Sequence, residues 1–246
     1  MRWVTNHLGW IAELTWIHLM YSLAALILSL AIALPLGWLA NRWRLGREAM
    51  LALVGAIYAI PSLPMFIVIP LLTGTPIRSS MTMVVVLSAY GVALLTRTVA
   101  DAYDAVSGDV RRQATALGYS PLRRALTVDL PLAGPMILAG FRVVIVSTVS
   151  LVTVGAVVGI QSLGSLFTDG FQRGIVAEVV AGLVMTLVLA LMLDGLAVLA
   201  GRVLFPWTRV DRVSGRRDSA ESAANTNGTH EAVGDHLQGA EVAGAR

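Results

Sequence analysis

The amino-acid sequence predicts an all-α protein embedded in a membrane. Of its 246 residues, 56% are hydrophobic and only 13% are charged, and the mean hydropathy is +0.74. Soluble domains carry about 25% charged residues, so this chain has too little charge to cover a water-exposed surface. The hydrophobic residues are also concentrated in long runs, and a helix that crosses a bilayer needs about 20 mostly apolar residues.

Five such runs predict five transmembrane helices, at about residues 19–40, 49–73, 80–96, 132–160 and 175–200. The first run contains no charge and ends at Asn41-Arg42-Trp43-Arg44, which is a basic stop-transfer pattern. The apolar region of a cleaved signal peptide is only about 7–15 residues long. We therefore expect the first run to be retained as a membrane span.

The positions of the arginines predict the orientation of the spans, because short cytoplasmic loops are enriched in basic residues. One side of the predicted topology carries only Arg2, Arg78 and Arg173. The other side carries Arg42, Arg44, Arg47, Arg97, Arg111, Arg112, Arg123, Arg124, Arg202, Arg209, Arg212, Arg216 and Arg217. We therefore expect an extracytoplasmic N-terminus and a cytoplasmic C-terminus.

This topology divides the chain into three parts. Residues 1–16 form the extracytoplasmic N-terminus, residues 17–201 the transmembrane domain, and residues 202–246 a cytoplasmic tail. No aromatic residue follows Trp207, and the apolar residues of the tail are isolated. A segment of this composition cannot bury enough surface to offset its ordering entropy, so we expect disorder from about residue 211.

The absence of two residue types excludes several kinds of chemistry. All basic residues are arginine, and the chain contains neither lysine nor cysteine. A Walker A phosphate-binding loop requires lysine, while thiolate metal sites and cysteine nucleophiles require cysteine. We therefore expect no intrinsic catalysis, no cofactor and no metal site. If ATP drives a process here, another chain must bind it.

The one long connection, about residues 97–131, has the pattern of a folded segment. Apolar residues recur at helical spacing over 101–117, and Gly118 follows as a helix-ending glycine. Ser120-Pro121 predicts the N-cap and first turn of a second short helix, which Leu130-Pro131 is expected to end. From the residues alone, this segment could bind anionic lipid with its arginines or dock a cytoplasmic protein.

Charged residues within the predicted spans are a further feature, because charge in a membrane marks function or a buried pair. Arg97, Arg142 and Asp194 fall at similar depth. We expect a structural ion pair between Asp194 and either Arg142 or Arg97. Glu178, near the outer end of the fifth span, is expected to be solvated.

The long connection also resembles the signature of a transporter family. The stretches Gln113–Pro121 and Leu130–Pro135 are similar to the EAA signature of binding-protein-dependent ABC importer permeases, in which a glycine follows the EAA and a Leu-Pro pair comes later. Gln113-Ala114-Thr115 stands in place of the EAA itself. The resemblance covers about residues 17–201.

Within that family the chain looks most like the permeases of glycine betaine, carnitine, choline and proline osmoprotectant importers. The similar stretches are Ala33–Gly37, Ile60–Pro64, Ile69–Leu72 and Ala139–Arg142, with a Leu163-Gly164 turn before the fifth span. One alternative is a permease for another small solute, such as an amino acid. A second alternative is a non-transporting membrane scaffold or lipid-binding protein.

The resemblance implies the type I ABC importer (MetI-like) permease fold with a cytoplasmic coupling helix, in the plasma membrane of a prokaryote. It implies an osmoprotectant importer whose partners are two cytoplasmic ATPase subunits, a second permease subunit (identical or a sister chain), an extracytoplasmic substrate-binding protein and the lipid bilayer, with no nucleic acid. The implied ATPase-coupling residues are Gln113, Ala114, Ala116, Leu117, Gly118, Ser120, Pro121, Leu130 and Pro131.

The second span supplies candidates for the translocation path. Pro61 and Pro64 are expected to break this span, and freed backbone carbonyls in a membrane need partners or a water-filled lining. Aromatic faces hold quaternary ammonium groups through cation–π attraction; ordinary helix packing is the alternative role for such residues. The candidates are Tyr58, Pro61, Ser62, Pro64, Phe66 and Tyr90.

Overall fold

The computed structural model describes residues 2–43 and 45–209, and in this part of the chain every regular element is a helix. This confirms the all-α prediction. Of the predicted tail, residues 202–209 are described: α10 continues to Leu204, and the short 3₁₀ helix Pro206–Arg209 follows. The disorder expected from about residue 211 lies outside the described residues. The α-helices are α1 (Arg2–Asn6), α2 (Leu8–Arg42), α3 (Arg47–Ala59), α4 (Ser62–Thr73), α5 (Ser80–Asp104), α6 (Gly108–Ala116), α7 (Pro121–Arg124), α8 (Leu130–Val154), α9 (Gly164–Arg173) and α10 (Val176–Leu204).

The first apolar run lies within α2, which begins eleven residues before the predicted start of the span. At 35 residues and 1.5 Å per residue, α2 is about 50 Å long, whereas the hydrocarbon core of a bilayer is about 30 Å thick. The extra turns carry polar residues such as Glu13, so hydropathy alone did not reveal them. Ile11 and Leu14 from these turns are nevertheless buried in the protein core.

Helices α2 and α5 run parallel to each other. Tyr21 Oη lies 3.0 Å from Ser80 Oγ, at the first residue of α5, and further along Asn41 donates a hydrogen bond to Asp104 at the last residue of α5. Because both helices run in the same direction, the chain between them must return to the end at which it started.

The returning segment is the second predicted span, and it is broken. Helices α3 and α4 meet at a bend of 111°, with Pro61 as the N-cap of α4. The span therefore breaks at Pro61, as the sequence predicts. Pro64 lies in the first turn of α4, where a missing N–H is tolerated, so it does not interrupt α4. Together, α3 and α4 make one crossing.

The remaining crossings alternate in direction. Helix α8 is antiparallel to α5, because a Cβ on Gly140 would lie 2.4 Å from Thr98 Cγ2 and a Cβ on Gly155 would lie 2.7 Å from the Met83 side chain. Helix α10 is antiparallel to α8. Asp194 of α10 pairs with Arg142 of α8, and Gly201, further along α10, lies against Leu138, which is earlier in α8. The body formed by residues up to Arg202 therefore has five crossings.

Very close backbone contacts hold the centre of this body together. An ideal Cβ on Gly37 of α2 would lie 2.4 Å from Val99 Cγ1 of α5 and 3.0 Å from the backbone nitrogen of Ala100. Likewise, a Cβ on Gly91 would lie 2.1 Å from Ser29 Oγ. A side chain at either position would collide with its neighbour, so α2 and α5 pack closely at these two glycines.

Helix α9 (Gly164–Arg173) stands where the sequence predicts only a turn at Leu163-Gly164. It is an amphipathic helix that packs across the first turn of α10: a Cβ on Gly170 would lie 3.1 Å from Glu178 Cβ. Leu163, Leu166, Phe167 and Gly170 have the i, i+3, i+4, i+7 spacing of a helix face. The sequence therefore has the spacing of an amphipathic helix here, but the segment is short, so the pattern is weak.

Candidate functional site

The connection between α5 and α8 is folded throughout, but its first part differs from the prediction. The prediction of a single helix over residues 101–117 is wrong. Helix α5 continues to Asp104, and α6 begins only after a break at which the Ser107 side chain accepts a hydrogen bond from the Asp109 N–H at 3.3 Å. Serine is a favoured N-cap because its hydroxyl satisfies a free N–H of the first turn. Ser107 therefore starts a new helix within the apolar stripe.

Gly118 ends α6 as the sequence predicts. Its φ is +82°, a left-handed conformation that glycine adopts without steric cost. The Tyr119 N–H donates to the Ala114 carbonyl at 3.2 Å, and the Gly118 N–H donates to the Thr115 carbonyl at 3.0 Å. These two bonds form a Schellman motif, so the chain reverses at Gly118 in a defined geometry.

The second short helix also begins as predicted, but it does not end at Leu130-Pro131. The Ser120 hydroxyl accepts a hydrogen bond from the Arg123 N–H at 3.4 Å, and Pro121 occupies the first turn of α7. Helix α7 then passes through a π-helical turn, Ala125–Asp129, directly into α8. The wider turn accommodates Pro131, which lacks the N–H and would clash with a carbonyl in a regular α-helix. The predicted proline stop is therefore wrong.

The predicted coupling residues are mostly exposed on this segment. Leu117 is 78% exposed. Leu122, which is not one of the predicted coupling residues, is 59% exposed on the same segment. Ala114, by contrast, is buried. Gln113, Ala116, Gly118, Ser120 and Pro121 are exposed, while Leu130 and Pro131 are half-buried.

A second candidate site is a cavity of about 510 Å³ at the bend between α3 and α4. The rings of Tyr58 and Tyr90 meet there edge to face, with centroids 6.1 Å apart, and the Tyr90 hydroxyl donates to the Ile60 carbonyl that the bend frees. No charged side chain lines the cavity. Its lining residues are Tyr58, Ala59, Ile60, Pro61, Ser62, Tyr90, Val146, Ser147, Ser150 and Leu151.

The structure brings together only some of the predicted path residues. Phe66 is 1% exposed and packs in a core cluster with Met83 and Leu87, so its ring does not line the cavity; Pro64 does not line it either. Sequence reasoning missed Ser147 and Ser150 of α8. Two hydroxyl residues three positions apart share a helix face. This spacing is the sequence pattern that indicates Ser147 and Ser150.

The charged residues within the spans have different surroundings. Arg142 Nε and Nη2 donate to Asp194 Oδ1 and Oδ2, each at 2.7 Å, which is one of the two pairings that the sequence left open. Arg97 is exposed and makes no ion pair with a described residue. Glu178 is 1% exposed, because α9 covers it, so the expectation that it is solvated is wrong.

A family profile and similar proteins of known name agree on the class of protein to which this chain is similar. A profile of the family described as "Binding-protein-dependent transport system inner membrane component" matches residues 33–206. The osmoprotectant import permease protein OsmW of Salmonella typhimurium is 28% identical, over 80% of this chain and 92% of its own length. The choline transport system permease protein OpuBB of Bacillus subtilis is also 28% identical, over 78% of this chain and 87% of its own length.

The fold also has a counterpart among solved structures. A chain of the inward-facing MetNI methionine ABC transporter superposes with a TM-score of 0.69 at 20% identity, and the match covers 80% of this chain and 97% of that chain. This similarity concerns the fold alone. The family profile matches residues 33–206, and this match shows that the multi-pass membrane protein belongs to the family of binding-protein-dependent transport system inner membrane components.

Proposed function

We propose that the chain is the permease subunit of an ABC importer for a small osmoprotectant, such as glycine betaine, choline, carnitine or proline. The family match and the names of the similar permeases support this function. The chain has no lysine, so ATP hydrolysis is assigned to a separate ATPase. Two ATPase subunits, a second permease subunit and an extracytoplasmic substrate-binding protein complete the proposed transporter.

Five crossings support the proposed orientation. An odd number of crossings places the two ends of the membrane domain on opposite sides of the bilayer. The end that carries Arg47, α6 and α7 is the arginine-rich one, and basic loops favour the cytoplasm. The N-terminus is therefore outside, and the α6–α7 segment faces the cytoplasmic ATPase.

The observation that carries the docking proposal is the pair of exposed leucines, Leu117 and Leu122, on an ordered polar segment. A large apolar side chain exposed to water gains free energy when a partner covers it. The Schellman motif at Gly118 and the Ser120 cap hold both leucines in a fixed geometry. A rigid segment with exposed apolar side chains fits a protein groove, whereas arginines alone would suffice to bind lipid.

Charged substitutions of an exposed leucine test this docking. Leu122→Asp is expected to abolish co-purification of the ATPase and solute uptake while membrane insertion is unchanged, because an aspartate in an apolar contact is unpaired and desolvated. Leu45→Asp is the matched control, since Leu45 is 97% exposed at the same end of the bundle. Co-purification that Leu122→Asp leaves at the parental level would contradict the docking site.

For the solute, we propose that the cavity at the α3–α4 bend lies on the translocation path. Its tyrosine rings, hydroxyls and freed backbone carbonyls suit a cationic group such as a quaternary ammonium, because they supply negative potential without a charged side chain. Carbonyls at the end of α3 add the partial negative charge of a helix C-terminus.

Uptake of labelled glycine betaine by a knockout strain complemented with the permease tests both the solute and the path. Tyr58→Leu is expected to reduce the uptake rate by about tenfold, because the variant loses about 1.4 kcal/mol of cation–π attraction to the solute. Tyr58→Phe, which keeps the aromatic face, should retain most of the uptake. Equal rates for Tyr58→Leu and the parent would remove Tyr58 from the path, and no uptake by the parent would reject glycine betaine as the solute.

A further inference from the structure

Asp129 is a buried carboxylate that neither the sequence signature nor the docking surface accounts for. It is the last residue of the π-turn between α7 and α8, and it is 2% exposed. Burying a carboxylate is costly unless charges or donors compensate it. The groups that compensate the charge of this carboxylate therefore indicate its role.

Two arginines from different parts of the α6–α7 segment converge on this carboxylate. Arg111 Nε of α6 lies 3.6 Å from Asp129 Oδ1, and Arg124 Nε of α7 lies 3.4 Å from Asp129 Oδ2. All three side chains are mostly buried, with 21%, 26% and 3% of the side-chain surface of Arg111, Arg124 and Asp129 exposed. We call these three residues the Asp129 clamp.

Each arginine of the Asp129 clamp also holds a second element. Arg111 Nη2 donates to the Tyr103 carbonyl in the last turn of α5. Arg124 Nη1 donates to Thr115 Oγ1 of α6 at 3.2 Å. One buried carboxylate therefore connects α6, α7 and the start of α8, through a hydrogen bond from Arg124 at 3.4 Å and an ion pair with Arg111 at 3.6 Å. Arg111 extends the connection to α5.

The π-turn makes this convergence possible. In an α-helix, residues five positions apart point about 140° away from each other, because the helix has 3.6 residues per turn. In the π-turn, the Leu130 N–H donates to the Ala125 carbonyl, five residues earlier, so residues five apart lie nearly above one another. Arg124 and Asp129 are five apart, and the turn therefore brings them to the same face.

We infer that Asp129 is a positioning residue that makes α6 and α7 move as one unit with the ends of α5 and α8. This inference rests on the proposed function, in which the ATPase acts on the α6–α7 segment. A displacement of that segment reaches the membrane helices only when the connection between them is stiff. The Asp129 clamp supplies the stiffness at the point where α7 continues into α8.

A distance measurement tests the Asp129 clamp without the ATPase. The chain has no cysteine, so cysteines introduced at Gln113 of α6 and Met136 of α8, both exposed, carry spin labels without background. In the full chain reconstituted in lipid discs, the inter-label distance distribution is expected to be narrow and to broaden with Asp129→Asn. The matched control is Asp109→Asn, because Asp109 pairs with Arg112 on the exposed surface of the same segment.

A transport measurement tests the consequence in the complete importer. Asp129→Asn is expected to lower the number of solute molecules imported per ATP hydrolysed by about fivefold or more, with the ATPase still bound. Asp129→Glu, which keeps the charge, should restore most of this ratio, and Asp109→Asn should leave it unchanged. If Asp129→Asn fails to fold, Arg124→Gln breaks one half of the Asp129 clamp and is expected to change both readouts in the same direction.

The outcomes separate this inference from the proposed function. An unchanged distance distribution in Asp129→Asn, or an unchanged import ratio, would overturn the role of the Asp129 clamp. An ATPase that does not bind the parental chain would refute the docking proposal, while the distance measurement would still decide whether Asp129 fixes the segment.

Discussion

Asp194 and Glu178 lie on the same helix, α10, but their carboxylates have opposite surroundings. Asp194 lies in the half nearer the C-terminal end and accepts two hydrogen bonds of 2.7 Å from Arg142. Glu178 lies in the first turn, where α9 covers it, and neither of its side-chain oxygens has a hydrogen-bond partner among the described residues. One carboxylate is fully paired, and the other is buried without a hydrogen bond to a described residue.

The difference shows that position on a helix and enclosure by protein decide what a carboxylate needs. Asp194 and Arg142 keep 22% and 43% of their side-chain surface exposed, on helices that cross the membrane, so each needs the other's charge. Glu178 has the partial positive charge of a helix N-terminus, which stabilises an anion in the first turn. That charge replaces only part of the solvation that burial removes.

The largest effect is expected where the paired carboxylate is removed. Asp194→Asn should lower the free energy of unfolding by about 3 kcal/mol, because it leaves Arg142 unpaired within a membrane-spanning helix. The measurement is the thermal midpoint and the folded yield of the purified protein, with solute affinity changing much less than yield.

A double variant tests whether pairing is the cause. Arg142→Met combined with Asp194→Leu removes both charges, and replacing an ion pair with apolar residues of similar volume is often neutral. We expect this variant to recover most of the folded yield. A single Asp194→Asn variant with the parental midpoint would show that the ion pair contributes nothing to stability.

A smaller effect of opposite sign is expected at the unpaired carboxylate. Glu178→Leu should raise the free energy of unfolding by about 1 kcal/mol, because it removes two buried oxygens that lack partners. Glu178→Gln keeps the polar atoms and should gain less, so thermal midpoints of the two variants separate charge from polarity. A lower midpoint for Glu178→Leu would indicate that the carboxylate has a favourable interaction.

The sequence predicted the parts of the fold that local rules determine. Long apolar runs marked the crossings, because the bilayer sets their length. Gly118 and Ser120-Pro121 marked the end of one helix and the start of the next, since both depend on the backbone within a few residues. These two boundaries fall where the sequence placed them.

The remainder depends on contacts between elements that are distant in the sequence. The π-turn before Pro131 forms where Asp129 meets Arg111 of α6, and a proline stop is the simpler local alternative. The burial of Glu178 depends on α9, and that of Phe66 on its packing against α5. Among the candidate path residues, Tyr58 lines one cavity with Ser147 and Ser150 of α8, because the bend lies beside that helix.

The glycine contacts between α2 and α5 determine where the molecule can deform. With Gly37 against Val99 and Gly91 against Ser29, sliding by one residue, about 1.5 Å, would drive side chains into backbone. These helices therefore resist shear and act as a fixed frame. Mechanical compliance is concentrated at the Pro61 bend, where a crossing lacks a continuous hydrogen-bond ladder, so α3 and α4 can change their mutual angle while the frame keeps its shape.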